Sequence, residues 1–222
     1  IQHCDFVIAG NTYLAEYAKK YNDQVSIIPT TIDTDLYVPR SERNQGPVCI
    51  GWTGSFSTIK HFERAVPVLA ALKTRYGDQI TFKLIGDPNY QNHELGIEGI
   101  PWSAATEVAD LSDIDIGIMP LPDDEWSKGK CGLKGLQYMA MGIATVMSPV
   151  GVNTDIIDNG VNGYLAGSDQ EWVEILSLLI EDEAIRRSVG NKGRQTVEEN
   201  YSVRANRDKY IALFGKALNK NA

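Results

Sequence analysis

Two rhythms of apolar residues alternate along the chain. Compact runs closed by glycine, proline or serine predict strands, and apolar positions at roughly three- to four-residue spacing predict helices. Phe6-Val7-Ile8-Ala9, ended by Gly10, and Val25-Ser26-Ile27-Ile28-Pro29 are two such runs. Between them a helix is expected, capped by Asn11 or Thr12 and carrying Leu14, Tyr17 and Ala18. A polar tract over 33–46, with Pro39 and a charged stretch at 40–44, reads as a linker. A new unit opens at Val48-Cys49-Ile50-Gly51-Trp52 and continues into a helix with Phe62, Ala65, Val66, Leu69 and Leu72 on one stripe. Ile80-Thr81-Phe82-Lys83-Leu84-Ile85 predicts the next strand. Ser103 is expected to cap a short helix running to Leu111, and 114–119 to form a strand. A loop over 120–132 leads to a helix over 133–141, stopped by Gly142. Strands at 144–148 and 163–166 follow, and helices over 169–181, 183–200 and 202–218 close the chain. This alternation predicts an α/β fold with a mostly parallel sheet flanked by helices. Ligands bind such sheets beyond the carboxyl ends of the strands, here at the loops after Trp52, Ile85, Met119 and Met147.

Composition narrows the partners. With 222 residues, 43% hydrophobic and 23% charged, the chain can bury a sizeable core, which excludes disordered, collagenous and disulfide-scaffold classes. Acidic side chains number 29 against 21 basic ones, a net charge of -8. A general polyanion binder needs a basic face, so nucleic acid and anionic membrane surfaces are not expected partners. Any anion site must be local. Cys4, Cys49 and Cys131 are dispersed, odd in number and without zinc or redox spacing, which fits free thiols in a reducing cytoplasm. No apolar run approaches the ~20 residues that span a bilayer. Ile1 stands where an initiator methionine would, just before a strand, so an excised piece of a longer chain is expected.

Two loops carry candidate chemistry. Gly54-Ser55-Phe56-Ser57-Thr58-Ile59-Lys60 joins a strand to a helix. Backbone N–H groups and the helix dipole favour an anion there, and Lys60 adds charge. The stretch is neither a Walker loop nor a Gly-x-Gly-x-x-Gly fingerprint, and alone it also fits a tight turn with a solvated lysine. Lys128-Gly129-Lys130-Cys131-Gly132-Leu133-Lys134 collects three lysines within seven residues, at a helix N-terminus. Cations are unfavourable there unless an anion joins them. Lys130 and Lys134 share a face if the helix starts early, and Gln137 lies one turn beyond Lys134. A phosphate between the two loops satisfies both; a solvated basic turn balancing Asp123-Asp124-Glu125 is the other reading. Consecutive carboxylates diverge and no histidine cluster accompanies them, so no metal is expected. His3, His61 and His93 match no triad, and a surface or helix-lining role is expected for them. Cys131 has no paired base and reads as packing or loop geometry. Trp52, Trp102 and Trp126 could stack on a base or sugar, whereas Trp172, striped with Ile175, Leu176 and Leu179, is expected in the core.

Longer stretches follow one another in a familiar order. Ser26-Ile27-Ile28-Pro29-Thr30-Thr31-Ile32-Asp33-Thr34-Asp35-Leu36-Tyr37 comes first, then Gly51-Trp52-Thr53-Gly54-Ser55, Leu84-Ile85-Gly86-Asp87 and Asp115-Ile116-Gly117-Ile118-Met119-Pro120-Leu121. The most specific is Gly129-Lys130-Cys131-Gly132-Leu133-Lys134-Gly135-Leu136-Gln137-Tyr138-Met139-Ala140-Met141-Gly142. Ser148-Pro149-Val150-Gly151, Asn159-Gly160-Val161-Asn162-Gly163-Tyr164-Leu165 and Gly193-Arg194 complete the series. Together they resemble the group 1 (family 4) retaining glycosyltransferases over nearly the whole chain.

The resemblance implies a GT-B architecture: two facing Rossmann-like domains, the reaction in their cleft, a donor nucleotide-sugar held mainly by the C-terminal domain, and neither metal nor other cofactor. The chain looks like that C-terminal domain. Residues 1–45 are then the end of the N-terminal domain and the linker, and 46–200 the nucleotide-sugar-binding Rossmann-like domain. Residues 201–222 are then a helix crossing back, striped with Val203, Tyr210, Phe214 and Ala217. Most of the acceptor domain, with the histidine that the family places near the reacting sugar, lies outside these residues on this reading. Apolar residues such as Phe6, Ile8 and Phe214 then need cover, which opens the way to self-association.

Carried over position by position, Lys60 and Lys134 stabilise the departing diphosphate, a catalytic role. Gly54, Ser55, Lys130, Gly132 and Leu133 then contact the donor and Gln137 its ribose; Ile100-Pro101-Trp102, after a short strand, is read by its position as a base pocket. Two places depart from the pattern. Ser55 stands where the family has an arginine, and Gly129 and Gln137 stand where it has a glutamate pair for the sugar and the ribose. Charged hydrogen bonds are roughly twice as strong as neutral ones, so a glutamate restored at 137 is expected to preserve or strengthen binding. The expected function is transfer of a hexose-type sugar from a nucleotide-diphosphate-sugar with retention of configuration, the fragment alone being inactive. A cytoplasmic location is expected, any peripheral membrane contact being left to the full-length protein. A non-catalytic nucleotide or nucleotide-sugar binding module is the alternative. A dinucleotide-binding oxidoreductase is disfavoured because the glycine fingerprint is absent.

Overall fold

A computed structural model describes residues 1–40 and 46–219, so most of the charged linker tract at 40–44 lies outside the described residues. β1 (Val7–Ala9) and β2 (Val25–Ile27) pair in parallel beside α1 (Thr12–Lys19). Asn11 is the cap: the Leu14 N–H donates to its Oδ1 at 2.8 Å. The central unit then runs β3 (Val48–Thr53), α2 (Ile59–Phe62), α3 (Val66–Tyr76), β4 (Ile80–Ile85), and a hairpin of β5 (Gln91–Asn92) and β6 (Ile97–Glu98). It continues with α4 (Glu107–Ser112), β7 (Ile116–Met119), α5 (Glu125–Lys128), α6 (Leu133–Ala140), β8 (Ala144–Met147), α7 (Asn153–Ile156) and β9 (Tyr164–Leu165). α8 (Asp169–Glu181), α9 (Glu183–Thr196) and α10 (Val203–Asn219) close the fold.

Five strands form one all-parallel sheet in the order β4-β3-β7-β8-β9. Side chains alternate between its faces. Ile50, Trp52, Ile116, Ile118 and Val146 pack under Leu69 and Leu72 of α3 and Trp172, Leu176 and Leu179 of α8. On the other face Tyr138 of α6 meets Leu111 and Ile114, and Leu136 and Met139 meet Met119 and Met147. Both faces are covered, which is why the strands read as near-continuous apolar runs. The chain leaves β3 toward one edge and returns at β7 on the other side. A crevice opens where the winding reverses, at the carboxyl ends of these two strands.

Several elements differ from expectation for local reasons. Ser103 does not cap a helix: its Oγ accepts from the Ala105 N–H at 3.2 Å and its carbonyl from Thr106 and Glu107, forming a turn ahead of α4. Ile114 packs in the core just before β7, while the Asp115 carboxylate accepts from the Cys49 N–H at 3.0 Å. The expected loop at 120–132 contains α5, begun by Asp124, whose carboxylate accepts from the Ser127 N–H at 2.7 Å. The helix expected over 183–200 ends at Thr196 and widens into a π turn over Val197–Tyr201. On α10 Phe214 is 56% exposed, in line with its expected need for cover, and Val203 is exposed with it, while Tyr210 of the same stripe is half-buried and Asn206 and Leu213 face the protein. The Ala217 side chain lies outside the described residues. Trp172 is 7% exposed and belongs to the core, as its stripe predicts.

The linker is strapped down. Arg194 of α9 donates to the Thr34 carbonyl at 2.9 Å, to the Ala140 carbonyl at 2.5 Å and to the Tyr37 carbonyl. That places Tyr37 beside α6, at the rim of the crevice.

Candidate functional site

The crevice begins as a backbone-to-backbone contact. At Gly86 the chain turns with φ +130°, and a Cβ there would lie 2.0 Å from the Gly54 carbonyl oxygen, so the loops after β3 and β4 can close only with glycine. Gly54 donates its N–H to the Ile85 carbonyl at 2.9 Å, and Ser55 donates its N–H to Thr58 Oγ1 at 3.0 Å. These two amides are therefore committed within the protein, which corrects their reading as anion donors. What the loop turns outward is the pair of exposed Ser55 and Ser57 hydroxyls, 2.9 Å apart.

The second loop enters α6 through Gly132, in the left-handed region at φ +72° and within 2.4 Å of Ile156 for any Cβ. Asn11 holds this loop from the N-terminal unit, its Nδ2 donating to the Lys130 carbonyl at 2.9 Å and the Lys128 carbonyl at 3.2 Å. Tyr138, on α6, accepts the Thr53 N–H at 2.8 Å and so ties the end of β3 to the same helix. The two candidate loops are thus fixed to each other through buried contacts.

Between them lies a cleft of about 500 Å³ lined by Gly54, Ser55, Pro101, Trp102, Glu107, Leu133, Lys134 and Gln137, among others. Seven of the predicted site residues line it together; Lys60, Lys130 and Gly132 stand just outside. Lys134 Nζ sits 5.6 Å from the centroid of the buried Trp52 ring. Burial, then the charge of Lys130, pulls its ammonium down to about 8. Burial also lowers Lys130, with Asp124 opposing and the Lys60 charge adding to the shift. Lys130 Nζ lies 5.7 Å from the ring centroid of Trp126, which is 70% exposed. Among the described residues none of Lys60, Lys130 and Lys134 forms an ion pair; two of the acidic triplet are engaged elsewhere, Asp123 with Lys128 at 3.0 Å and Asp124 at the α5 cap. The basic turn therefore divides: Lys128 is the balanced member and the other two are not. Among the described residues no cluster of three or more histidine, cysteine or acidic side chains could hold a metal. Burial pushes the Cys131 thiol up, in keeping with packing rather than reactivity.

Two features go further than the sequence reading. His61 is 4% exposed, so it lines the helix and not the surface, and neither ring nitrogen has a partner among the described residues. Burial holds it below its ordinary value, followed by the charges of Lys130, Lys60 and Lys134, with Asp124 opposing. At the other end of the cleft Glu107 accepts from the Tyr37 hydroxyl at 2.6 Å, the Trp102 indole N–H at 2.9 Å and the Gln137 amide at 3.0 Å. Gln137 donates also to the Tyr37 oxygen at 3.0 Å. The acidic residue at the start of α4, five positions after the exposed Trp102, was the available signal.

A sequence profile described as glycosyl transferases group 1 matches residues 47–182, more than half of the chain. The chain belongs to the group 1 glycosyltransferases. Solved structures of other proteins share its fold. Sucrose-phosphate synthase from Thermosynechococcus elongatus superposes with a TM-score of 0.77 at 16% identity, over 99% of this chain and 60% of that one. The C-terminal domain of the group 1 family protein LpcC from Francisella tularensis gives 0.63 at 23% identity, over 78% of this chain and 99% of that one. Anabaena HepE, solved in complex with UDP and glucose, gives 0.75 at 18% identity, over 95% of this chain and 63% of that one. The five-stranded parallel sheet with helices on both faces is therefore half of a GT-B glycosyltransferase fold, and the chain spans about 60% of the length of the first of these structures. A comparison with curated proteins finds no match. No described helix is long and apolar enough to cross a membrane.

Proposed function

We propose that this chain is the donor-binding half of a sugar transferase that takes a nucleotide-diphosphate-sugar and transfers its hexose-type sugar with retention of configuration. One observation carries the reading: a half-buried ammonium with no ion-pair partner among the described residues, Lys134, faces a cleft at the switch point of a parallel sheet in a group 1 glycosyltransferase. A desolvated cation without a counter-ion is stabilised by an anion from outside. HepE, which shares the fold, was solved with UDP, and that supports a nucleoside diphosphate as the anion. Lys134 and Lys60, with Lys130 behind them, then neutralise the charge that grows on the diphosphate as the glycosidic bond breaks. Leu133 and Gly132 place the start of α6 against it, and Pro101 and Trp102 receive the base.

Residues 1–45 then belong to the end of an acceptor-binding domain and its linker, 46–200 to the donor domain, and 201–222 to a helix that returns to the first domain. Donor and acceptor must be held together for transfer, a positioning effect that can be worth ~7–11 kcal/mol. The 222-residue chain is therefore expected to bind nucleoside diphosphates and to transfer no sugar, with activity recovered when an upstream domain is present. A thermal-shift panel of nucleotides, nucleotide-sugars and nicotinamide cofactors tests the donor half. Stabilisation by diphosphates is expected; stabilisation by nicotinamide cofactors alone would sink the reading, and transfer by these residues unaided would overturn the division of labour.

A further inference from the structure

Among the described residues Glu107 is the one carboxylate lining the cleft, and it stands at a particular place along it. The cationic end, at Lys134, is where a diphosphate fits; the other end, at Pro101 and the half-exposed Trp102, is where a flat base fits. In any nucleotide the ribose joins the two. Glu107 and Gln137 occupy that junction, in hydrogen-bond contact with each other at 3.0 Å.

Counting donors and acceptors separates their roles. The Gln137 amide has two N–H donors, and they go to Glu107 Oε1 and the Tyr37 oxygen, which leaves only a neutral carbonyl. A carboxylate offers about four acceptor positions. Glu107 fills two on Oε1, with Trp102 and Gln137, and one on Oε2, with Tyr37, so one position on a charged oxygen remains. A hydroxyl donating there makes the stronger, charge-assisted bond. We propose that Glu107 is the charged acceptor for the donor's ribose hydroxyls, with Gln137, Tyr37 and Trp102 fixing its orientation. This rests on the nucleotide-donor reading above and adds to it the residue that tells ribose from deoxyribose.

The same geometry reverses the expectation for a glutamate at 137. Gln137→Glu would set two carboxylates at hydrogen-bond distance, where they cannot both ionise without repulsion. The exchange Glu107→Gln with Gln137→Glu, by contrast, keeps one charge and one amide across the same contact.

Calorimetric titration of the intact chain with uridine, guanosine and adenosine diphosphates, each in ribose and dideoxyribose form, tests the assignment. The wild-type chain is expected to bind at least one ribose form about tenfold more tightly than its dideoxy counterpart. Glu107→Gln, near-isosteric and still able to accept from Trp102, should bring that ratio to about twofold or less, and the exchanged pair should recover most of it. If diphosphates bind but the ratio survives in Glu107→Gln, the Glu107 assignment falls while the donor reading stands. An exchanged pair that fails to discriminate also overturns the assignment. If no diphosphate binds the wild-type chain, both readings fall together.

Discussion

The two ends of the cleft are built on opposite plans. At the Trp102 end, proposed above for the base, the polar groups of Tyr37, Trp102, Glu107 and Gln137 bond to one another, and the tyrosine hydroxyl is pushed up to about 12 by burial and by its bond to the carboxylate. At the Lys134 end, proposed above for the phosphates, Lys134 and Lys130 lose charge stability to burial and to neighbouring lysines, and the buried His61 ring beside them has no partner among the described residues. One end is already bonded within the protein; the other holds cations without an ion-pair partner among the described residues, the place where the proposed function puts an anion. The first plan confers selectivity, because a ligand group that fails to fit leaves a fixed network unmatched. The second confers affinity, because binding relieves electrostatic cost already present in the empty protein.

The largest effects should follow from breaking the cationic end. Lys134→Ala is expected to weaken nucleoside-diphosphate binding by roughly 1.5–3 kcal/mol, and Lys60→Ala by less, about 1 kcal/mol, because Lys60 is exposed. Affinity for the bare nucleoside should hardly change in calorimetry. An equal loss for both ligands would mean that the lysines shape the cleft and do not hold phosphate.

Next comes pH. Lys134 in the empty protein titrates near 8, below the ordinary 10.5, and an anion beside it raises that value again. Binding therefore takes up a proton above pH 8, and diphosphate affinity should fall by up to about tenfold per pH unit there. Lys134→Arg, which stays charged, should flatten the profile. For the empty protein the sign is opposite: the unfolded chain holds the Lys134 proton more tightly. Stability should therefore rise as pH climbs from 8 toward 10.5, which pH-dependent denaturation would register.

The same contrast explains what the sequence disclosed. The sheet was legible because strands buried on both faces are apolar runs, and the lysines because they crowd a short segment before a helix in an acidic chain. Lys134 and Gln137 are three residues apart on one helix, so their shared face followed from periodicity. The base-end network joins residues 70 and 100 positions apart, and no local pattern links Tyr37 to Glu107 or Gln137. For His61 the sequence left a surface and a helix-lining role open, and its buried neighbours Phe62 and Ala65 decide for the second by carrying it inward. The β5–β6 hairpin, with two residues per strand, is too short to show alternation and depends on Asn92, whose side chain accepts from the Leu95 N–H at 3.1 Å. The committed amides of Gly54 and Ser55 could not be foreseen, since their partners depend on how close the β3 and β4 loops come.

The smallest effect expected is Tyr37→Phe, and it probes how far the base end is self-sufficient. Tyr37 is the linker's entry into the site: its hydroxyl donates to Glu107 and accepts from Gln137, while its carbonyl is held by Arg194. Phenylalanine keeps the ring and the strap but removes one donor from Glu107 Oε2 and one acceptor from the Gln137 amide. Glu107 retains Trp102 and Gln137, so its position should survive, and the loss in stability should be about 1 kcal/mol. The vacated position on Oε2 also frees the carboxylate for a second ligand hydroxyl. Diphosphate affinity should therefore change by less than about threefold, with no loss of discrimination between ribose and dideoxyribose. If instead Tyr37→Phe abolishes that discrimination as fully as Glu107→Gln, the carboxylate does not stand on its two remaining bonds, and the donor site is held in shape from the linker.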